Sequence, residues 1–242
     1  MSGENDTLPP LIAIIGCDGS GKSTVSEELL AWTKGFGPAA AAHLGKQQGN
    51  SGRWFANLPL VGGWFEKFIG RKAATVHSSR GKNKAPDLLP ALVMHAFTLR
   101  RIRRFRRMMK LRQQGLIIIA DRFPQLDFPS AFDGPDMSVD ANGSRFVQWL
   151  ARREQRAFEW MTSYRPDLAL RLNVDLDTAC ARKPDHRREA LKRKIEITPR
   201  LTLNGAKIVE IDAAQPLDKV LAVAKSAVQS MLVERGYHRT EP

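Results

Sequence analysis

Nine residues, Gly16-Cys17-Asp18-Gly19-Ser20-Gly21-Lys22-Ser23-Thr24, constrain this chain more than any other stretch of it. They follow an unbroken apolar run, Leu11 to Ile15, and lead into the helical periodicity of Val25 to Lys34. A short apolar run of that kind reads as a strand buried on both faces, and such strands belong to parallel sheets. A G-x-x-x-x-G-K-[ST] sequence between strand and helix forms a loop whose backbone N–H groups point inward at phosphate oxygens, with the amino end of the helix adding partial positive charge. Gly16, Gly19 and Gly21 allow the curl, and Asp18, Ser20 and Thr24 complete the loop.

Similar apolar runs recur at 116–120, 168–174 and 207–211, and an alanine-rich one at 39–44. Between them, apolar residues return every three or four positions at 25–34, 88–114, 144–163 and 216–235, which predicts helices. Strands alternating with helices predict an α/β fold, a five-stranded parallel sheet with helices on both faces. Residues 46–86 break the pattern, being rich in glycine, serine and aromatics, and are expected to form an insertion or cap after the second strand. Residues 1–10 read as a flexible lead, 11–236 as one domain and 237–242 as a flexible tail.

Lysine and arginine number 38 against 25 aspartates and glutamates, a net charge of +13, so the preferred partner is anionic. Part of that charge sits on one helix, in Arg100, Arg101, Arg103, Arg104, Arg106, Arg107, Lys110 and Arg112, with Leu99, Ile102, Phe105 and Met108 or Met109 at core spacing. Such a run reads first as a solvated face, and contact with nucleic acid or a membrane surface is the less favoured reading. Cys17 and Cys180 are too far apart in sequence for a paired metal motif, no two histidines stand at zinc-ligand spacing, and no apolar run approaches bilayer length. These features predict a cytoplasmic protein.

The loop type implies a nucleotide with Mg²⁺, Lys22 reaching the β- and γ-phosphates and the Ser23 hydroxyl ligating the metal, and leaves kinase, switch GTPase and motor ATPase to be told apart by the rest of the chain. No N-K-x-D motif of the kind that reads guanine in switch GTPases follows a later strand. Asp121, at the carboxyl end of the 116–120 run, stands where doubly wound sheets place their ligands and is a second candidate for the Mg²⁺ shell or for orienting an acceptor.

Several motifs in order resemble the thymidylate kinase group of P-loop nucleotide kinases, over most of the chain except residues 46–86. The phosphate loop matches E-G-x-D-G-x-G-K-S-T with Ile15 in place of the glutamate, and Asp121-Arg122-Phe123 matches D-R-[YH]. Arg100 and Gly115 keep the group's spacings to Asp121, Pro166-Asp167-Leu168 stands before the fourth strand, and Ile211-Asp212-Ala213 ends the last one. The segment Arg182 to Glu189 resembles the group's arginine-bearing lid, expected over 182–198. Two stretches depart from the pattern. R-E-P-G-G-T is replaced by His43-Leu44-Gly45-Lys46-Gln47-Gln48, and A-Y-Q-G has only a displaced echo in Ala131-Phe132-Asp133-Gly134.

The resemblance implies a P-loop NTPase fold, transfer of the ATP γ-phosphoryl group to a nucleoside monophosphate or related small acceptor, and a homodimer. It makes Arg100 and Arg122 the acceptor clamp, places Asp18 on the acceptor side, and assigns Arg182, Arg187 and Arg188 to closing over the transferring group. Two alternatives remain open. One is a kinase of a hydroxyl acceptor, such as a sugar or surface-polysaccharide precursor, in which Asp121, Asp18 or Asp133 takes the proton. The other is a nucleotide-dependent module that binds a polyanion and transfers nothing.

Overall fold

The structure, a computed structural model, describes residues 8–45, 85–129 and 131–240. Its five parallel strands are β1 (Leu11–Gly16), β2 (Ala39–His43), β3 (Ile117–Asp121), β4 (Leu168–Asn173) and β5 (Ile208–Asp212), in the order β2-β3-β1-β4-β5. Around them lie α1 (Lys22–Thr33), α2 (Leu88–Gln113), α3 (Arg145–Ser163), α4 (Leu176–Arg182), α5 (Arg188–Ile197) and α6 (Leu217–Glu234). Every expected strand is present. The expected insertion falls outside the described residues apart from its last two, Ala85 and Pro86.

β1 lies in the middle of the sheet, hydrogen-bonded to β3 on one side and β4 on the other, and every residue of it is buried. Because side chains alternate across a strand, an all-apolar strand needs an apolar partner on each face. Ile12 and Ile14 meet Val25 and Leu29 of α1 and Val220 and Val228 of α6. Leu11, Ala13 and Ile15 belong to the opposite layer, with Phe105 and Met108 of α2 and Phe158 and Met161 of α3. Each large aliphatic side chain so buried contributes about 1.5–3 kcal/mol, so both helical layers are needed to hold the central strands.

Helix α2 corrects one expectation. Its inward stripe is Ala91, Thr98, Arg101, Phe105, Met108 and Arg112, with Met109 also buried, whereas Leu99 is 39% exposed. The apolar residues alone suggested a stripe through Leu99. The helix is turned so that two arginines of the basic run point inward, since each meets a carboxylate: Arg101 meets Asp133 at 2.9 Å and Arg112 meets Asp167 at 2.9 Å.

Asp167 ties four elements together at the amino edge of the sheet. Its Oδ2 accepts from the Leu11 N–H at 2.7 Å and from Arg112, and its Oδ1 pairs with Arg235, just beyond α6. Arg112 also donates to the Pro9 carbonyl and Arg235 to that of Leu8. The P-D-L motif therefore has a structural task here, holding the starts of β1 and β4 to the ends of α2 and α6. A groove of about 790 Å³ opens beside it, lined by Asp167, Lys207, Glu234 and Tyr237 among others. That groove is at the edge opposite the phosphate loop and takes no part in the site below.

Candidate functional site

Where β1 ends, the chain turns through residues 17–21 into α1. Two glycines are required for different reasons. A Cβ on Gly16 would lie 2.5 Å from Ser20 Oγ and 2.7 Å from the Leu172 carbonyl oxygen, so the loop folds tightly against β4 only without a side chain there. Gly21 has open space around it but a φ of +84°, in the left-handed region that side chains disfavour. The turn is closed by Ser20 Oγ and Lys22 Nζ, which donate to the Cys17 carbonyl at 2.9 and 2.5 Å. Lys22 is only 7% exposed, and burial with Arg122 nearby pushes its ammonium down to about 8. Ser23 and Thr24 follow on the exposed first turn of α1.

The neighbouring strands bring the other groups to the same edge. In the pairing of β2 with β3, His43 stands opposite Asp121, and registered residues on adjacent strands project to the same face. His43 Nδ1 and Asp121 Oδ2 are accordingly 2.8 Å apart in a hydrogen bond. Asp121 Oδ1 is buried and accepts no hydrogen bond among the described residues. Burial alone would raise this carboxyl, but the His43 hydrogen bond and the charges of His43, Lys22 and Arg122 hold it below its ordinary value. The backbone then reverses at Arg122, whose φ is +68°. A side chain in that region costs of order 1 kcal/mol or more and persists only where its surroundings fix it. Here two carboxylates do so, Asp18 at 3.0 Å and Asp133 at 3.8 Å.

Asp18 is the meeting point. Besides Arg122 it pairs with Lys194 of α5, and His186 Nδ1 lies 3.6 Å from it. Burial would raise its carboxyl, yet Lys194, Arg122 and Lys22 together hold it well below the usual carboxylate range. Lys22, Arg122, Gln125 and Asp133 line one narrow crevice beside the loop. Arg101, buried on α2, donates to both the carboxylate and the carbonyl of Asp133 and so fixes that wall.

The residues expected from sequence are partly brought together. The loop residues, Lys22, Asp121 and Arg122 converge at the carboxyl edge of β1 and β3. Arg182, the last residue of α4, donates to the Ala213 carbonyl at 2.9 Å and to that of Gly19 in the loop at 3.3 Å. Arg188 turns instead to Asp177 at 2.9 Å and is 58% exposed, and Arg187 is exposed with no ion pair among the described residues. Arg100 is half-buried and makes no ion pair among the described residues. Its neighbour Arg101 holds Asp133, and Arg104 donates to the Gly45 carbonyl at 2.8 Å. Arg101, Arg104 and Arg112 thus leave Arg103, Arg106, Arg107 and Lys110 as the exposed cations of that run.

Sequence reasoning missed four participants: His43, Arg101, His186 and Lys194. The strand pairing alone identifies His43. Lys194 lies three residues after Leu191, which packs with Cys17, and that spacing puts it on the helix face turned to the loop.

The donors fit Mg²⁺ in kind, since a serine hydroxyl and a carboxylate oxygen are both hard ligands and Asp121 Oδ1 has no other partner among the described residues. Among the described residues no group of three or more His, Cys, Asp and Glu side chains stands close enough to form a protein-only metal cage. A magnesium ion held largely by phosphates and water does not need one.

A parallel sheet with a glycine loop between its central strand and the first helix, a buried lysine in that loop and an aspartate at the end of the adjacent strand define a P-loop nucleotide-binding protein. No protein-family model matches the chain. Two curated proteins of Escherichia coli K12 match nearly all of it. The ATP-binding protein YghS is 40% identical over 233 residues, 96% of this chain and 98% of its own length. The ATP-binding protein YghR is 37% identical over 227 residues, 93% and 89% respectively. The chain belongs to the family of ATP-binding proteins that includes these two. Among the described residues no helix is long and apolar enough to cross a membrane.

Proposed function

We propose that the chain is an ATP-dependent phosphotransferase that moves the γ-phosphoryl group of ATP to a small-molecule acceptor. The observation supporting this most directly is the convergence of Lys22 from the loop, Arg122 from the end of β3 and Lys194 from α5 around Asp18. Holding a nucleotide needs the loop and its lysine. Cations delivered by two further elements suit a reaction in which charge spreads over the transferring group.

In this reading residues 11–236 act as one domain and 182–198 as its lid. An acceptor oxygen attacks the γ-phosphorus, the bond to the β,γ-bridging oxygen breaks, and ADP carries that oxygen away. Lys22 and the loop N–H groups bear the growing charge on the leaving side. Mg²⁺ supplies further charge neutralisation when bound, and Ser23 and Asp121 are the residues that would hold it. Likeness to thymidylate kinases favours a nucleoside monophosphate, whose phosphate is largely ionised at neutral pH, so that attack needs positioning but no base. Arg122 and Arg100 are then the acceptor contacts.

A hydroxyl acceptor is the second reading, favoured by one observation. His43 fixes one oxygen of Asp121 and leaves the other buried without a partner among the described residues, an arrangement suited to taking a proton from a hydroxyl held beside it. The two readings separate in a coupled ADP-release assay over nucleoside monophosphates and over free and phosphorylated sugars. Turnover with a monophosphate supports the first, and turnover only with a free hydroxyl supports the second. Lys22→Ala is expected to lower either activity about 100-fold or more, the scale of removing a group that stabilises transition-state charge. Parental turnover in that variant, or no ADP release with any acceptor, overturns the phosphotransferase reading.

A further inference from the structure

Lys194 reaches the phosphate loop from a helix that is itself fixed to the loop. On α5, Leu191 is 1% exposed and packs with Cys17, Val174 and Ala179, so the helix rests on the residue next to Asp18. One turn further on, the Lys194 ammonium pairs with the Asp18 carboxylate, whose other oxygen receives Arg122. Asp18 therefore positions Lys194 while needing only one of its three N–H donors. The side chain is 33% exposed, which leaves the remaining donors accessible to a ligand entering the loop. Lys22, by contrast, is buried and already donates to the Cys17 carbonyl. ATP differs from ADP by a terminal phosphoryl group that adds charge and oxygen acceptors, and a positioned ammonium with spare donors beside the loop is the kind of group that recognises it.

We infer that Lys194 is a phosphate-binding residue of this site, contacting the γ-phosphoryl oxygens of ATP, with Asp18 as the residue that positions it. This deepens the nucleotide-binding reading and rests on it. The consequence is selectivity for ATP over ADP that a purely structural contact between α5 and the loop would not supply.

Calorimetric titration of the full chain with ATP and with ADP, at fixed magnesium and salt, tests the inference. In Lys194→Met the affinity for ATP is expected to fall about 10-fold or more while that for ADP stays within about twofold, the size of effect carried by one charge-assisted contact. Lys194→Arg, which keeps the charge, should recover most of the loss. Lys194→Gln keeps a polar contact with Asp18 and serves as the second charge-removing variant if the methionine form does not fold. Equal weakening of both nucleotides would make Lys194 a structural contact only, and no change in either would remove it from the site. A parent chain that binds neither nucleotide would overturn the nucleotide-binding reading as well, an outcome distinct from an unchanged ATP-to-ADP ratio in a parent that binds both.

Discussion

Asp18 shows how one residue gains its properties from groups far away in sequence. Its carboxylate is buried, which alone would favour the neutral acid, yet Lys194, Arg122 and Lys22 hold it well below the usual carboxylate range. A carboxyl whose folded value lies below its unfolded value of about 4 stabilises the fold at every pH above that value, and the contribution drains away as pH falls below it. Urea unfolding of the parent should therefore lose stability between about pH 5 and pH 3 more steeply than Asp18→Asn, which cannot titrate. At neutral pH the same variant is expected to be less stable by about 1–3 kcal/mol, because two cations lose a charged partner. Parallel stability profiles for the two proteins would place the acid sensitivity in other carboxylates.

At the scale of elements, the amino edge of the sheet is closed by charge where the middle is closed by apolar packing. Arg112 is fully buried, and Asp167 joins it to Arg235 and to the first N–H of β1. Removing one partner of a buried ion pair costs about 3–5 kcal/mol, because the remaining charge stays in a poorly solvating place. Asp167→Ala is accordingly expected to lose that amount in chemical denaturation, and Asp167→Asn less, since it keeps an acceptor for the Leu11 N–H. ATP affinity measured on the folded variant at low temperature should stay within about twofold of the parent, since the network lies at the edge away from the loop. A large loss of affinity with intact stability would mean that Asp167 acts on the site.

For the whole molecule, ligand binding and folding are linked through the loop. A ligand that binds only the folded state adds about 2.7 kcal/mol at a concentration 100 times its dissociation constant. In a chain of this size each kcal/mol raises the melting temperature by about 2–4 °C, so saturating ATP should raise it by about 5–10 °C. Lys22→Ala should show a clearly smaller rise, and differential scanning fluorimetry of both proteins checks this. An equal rise in the variant would put the nucleotide somewhere other than the loop.

The amino-acid sequence by itself determined the strands, the helices α1, α2, α3 and α6 though not α4 and α5, the two-faced sheet and the phosphate loop. All of these rest on local signals: unbroken apolar runs, the helical period, and glycines at fixed spacing before a lysine. It also carried Asp121 and Arg122 to the end of β3, because a polar pair after an apolar strand marks the sheet edge. What it left open depends on contacts between segments distant in sequence. Arg101 and Arg112 cannot be told from the solvated arginines beside them until Asp133 and Asp167 are placed next to α2. His43 becomes a partner of Asp121 only through the register of β2 on β3, and Lys194 meets Asp18 across 176 residues of sequence. Arg187 and Arg188 share the 182–198 segment with Lys194 and look equally suitable in sequence, yet of these three only the lysine meets the loop among the described residues. An arginine or lysine carries the same charge anywhere in the chain, and only tertiary structure decides which carboxylate or phosphate it faces.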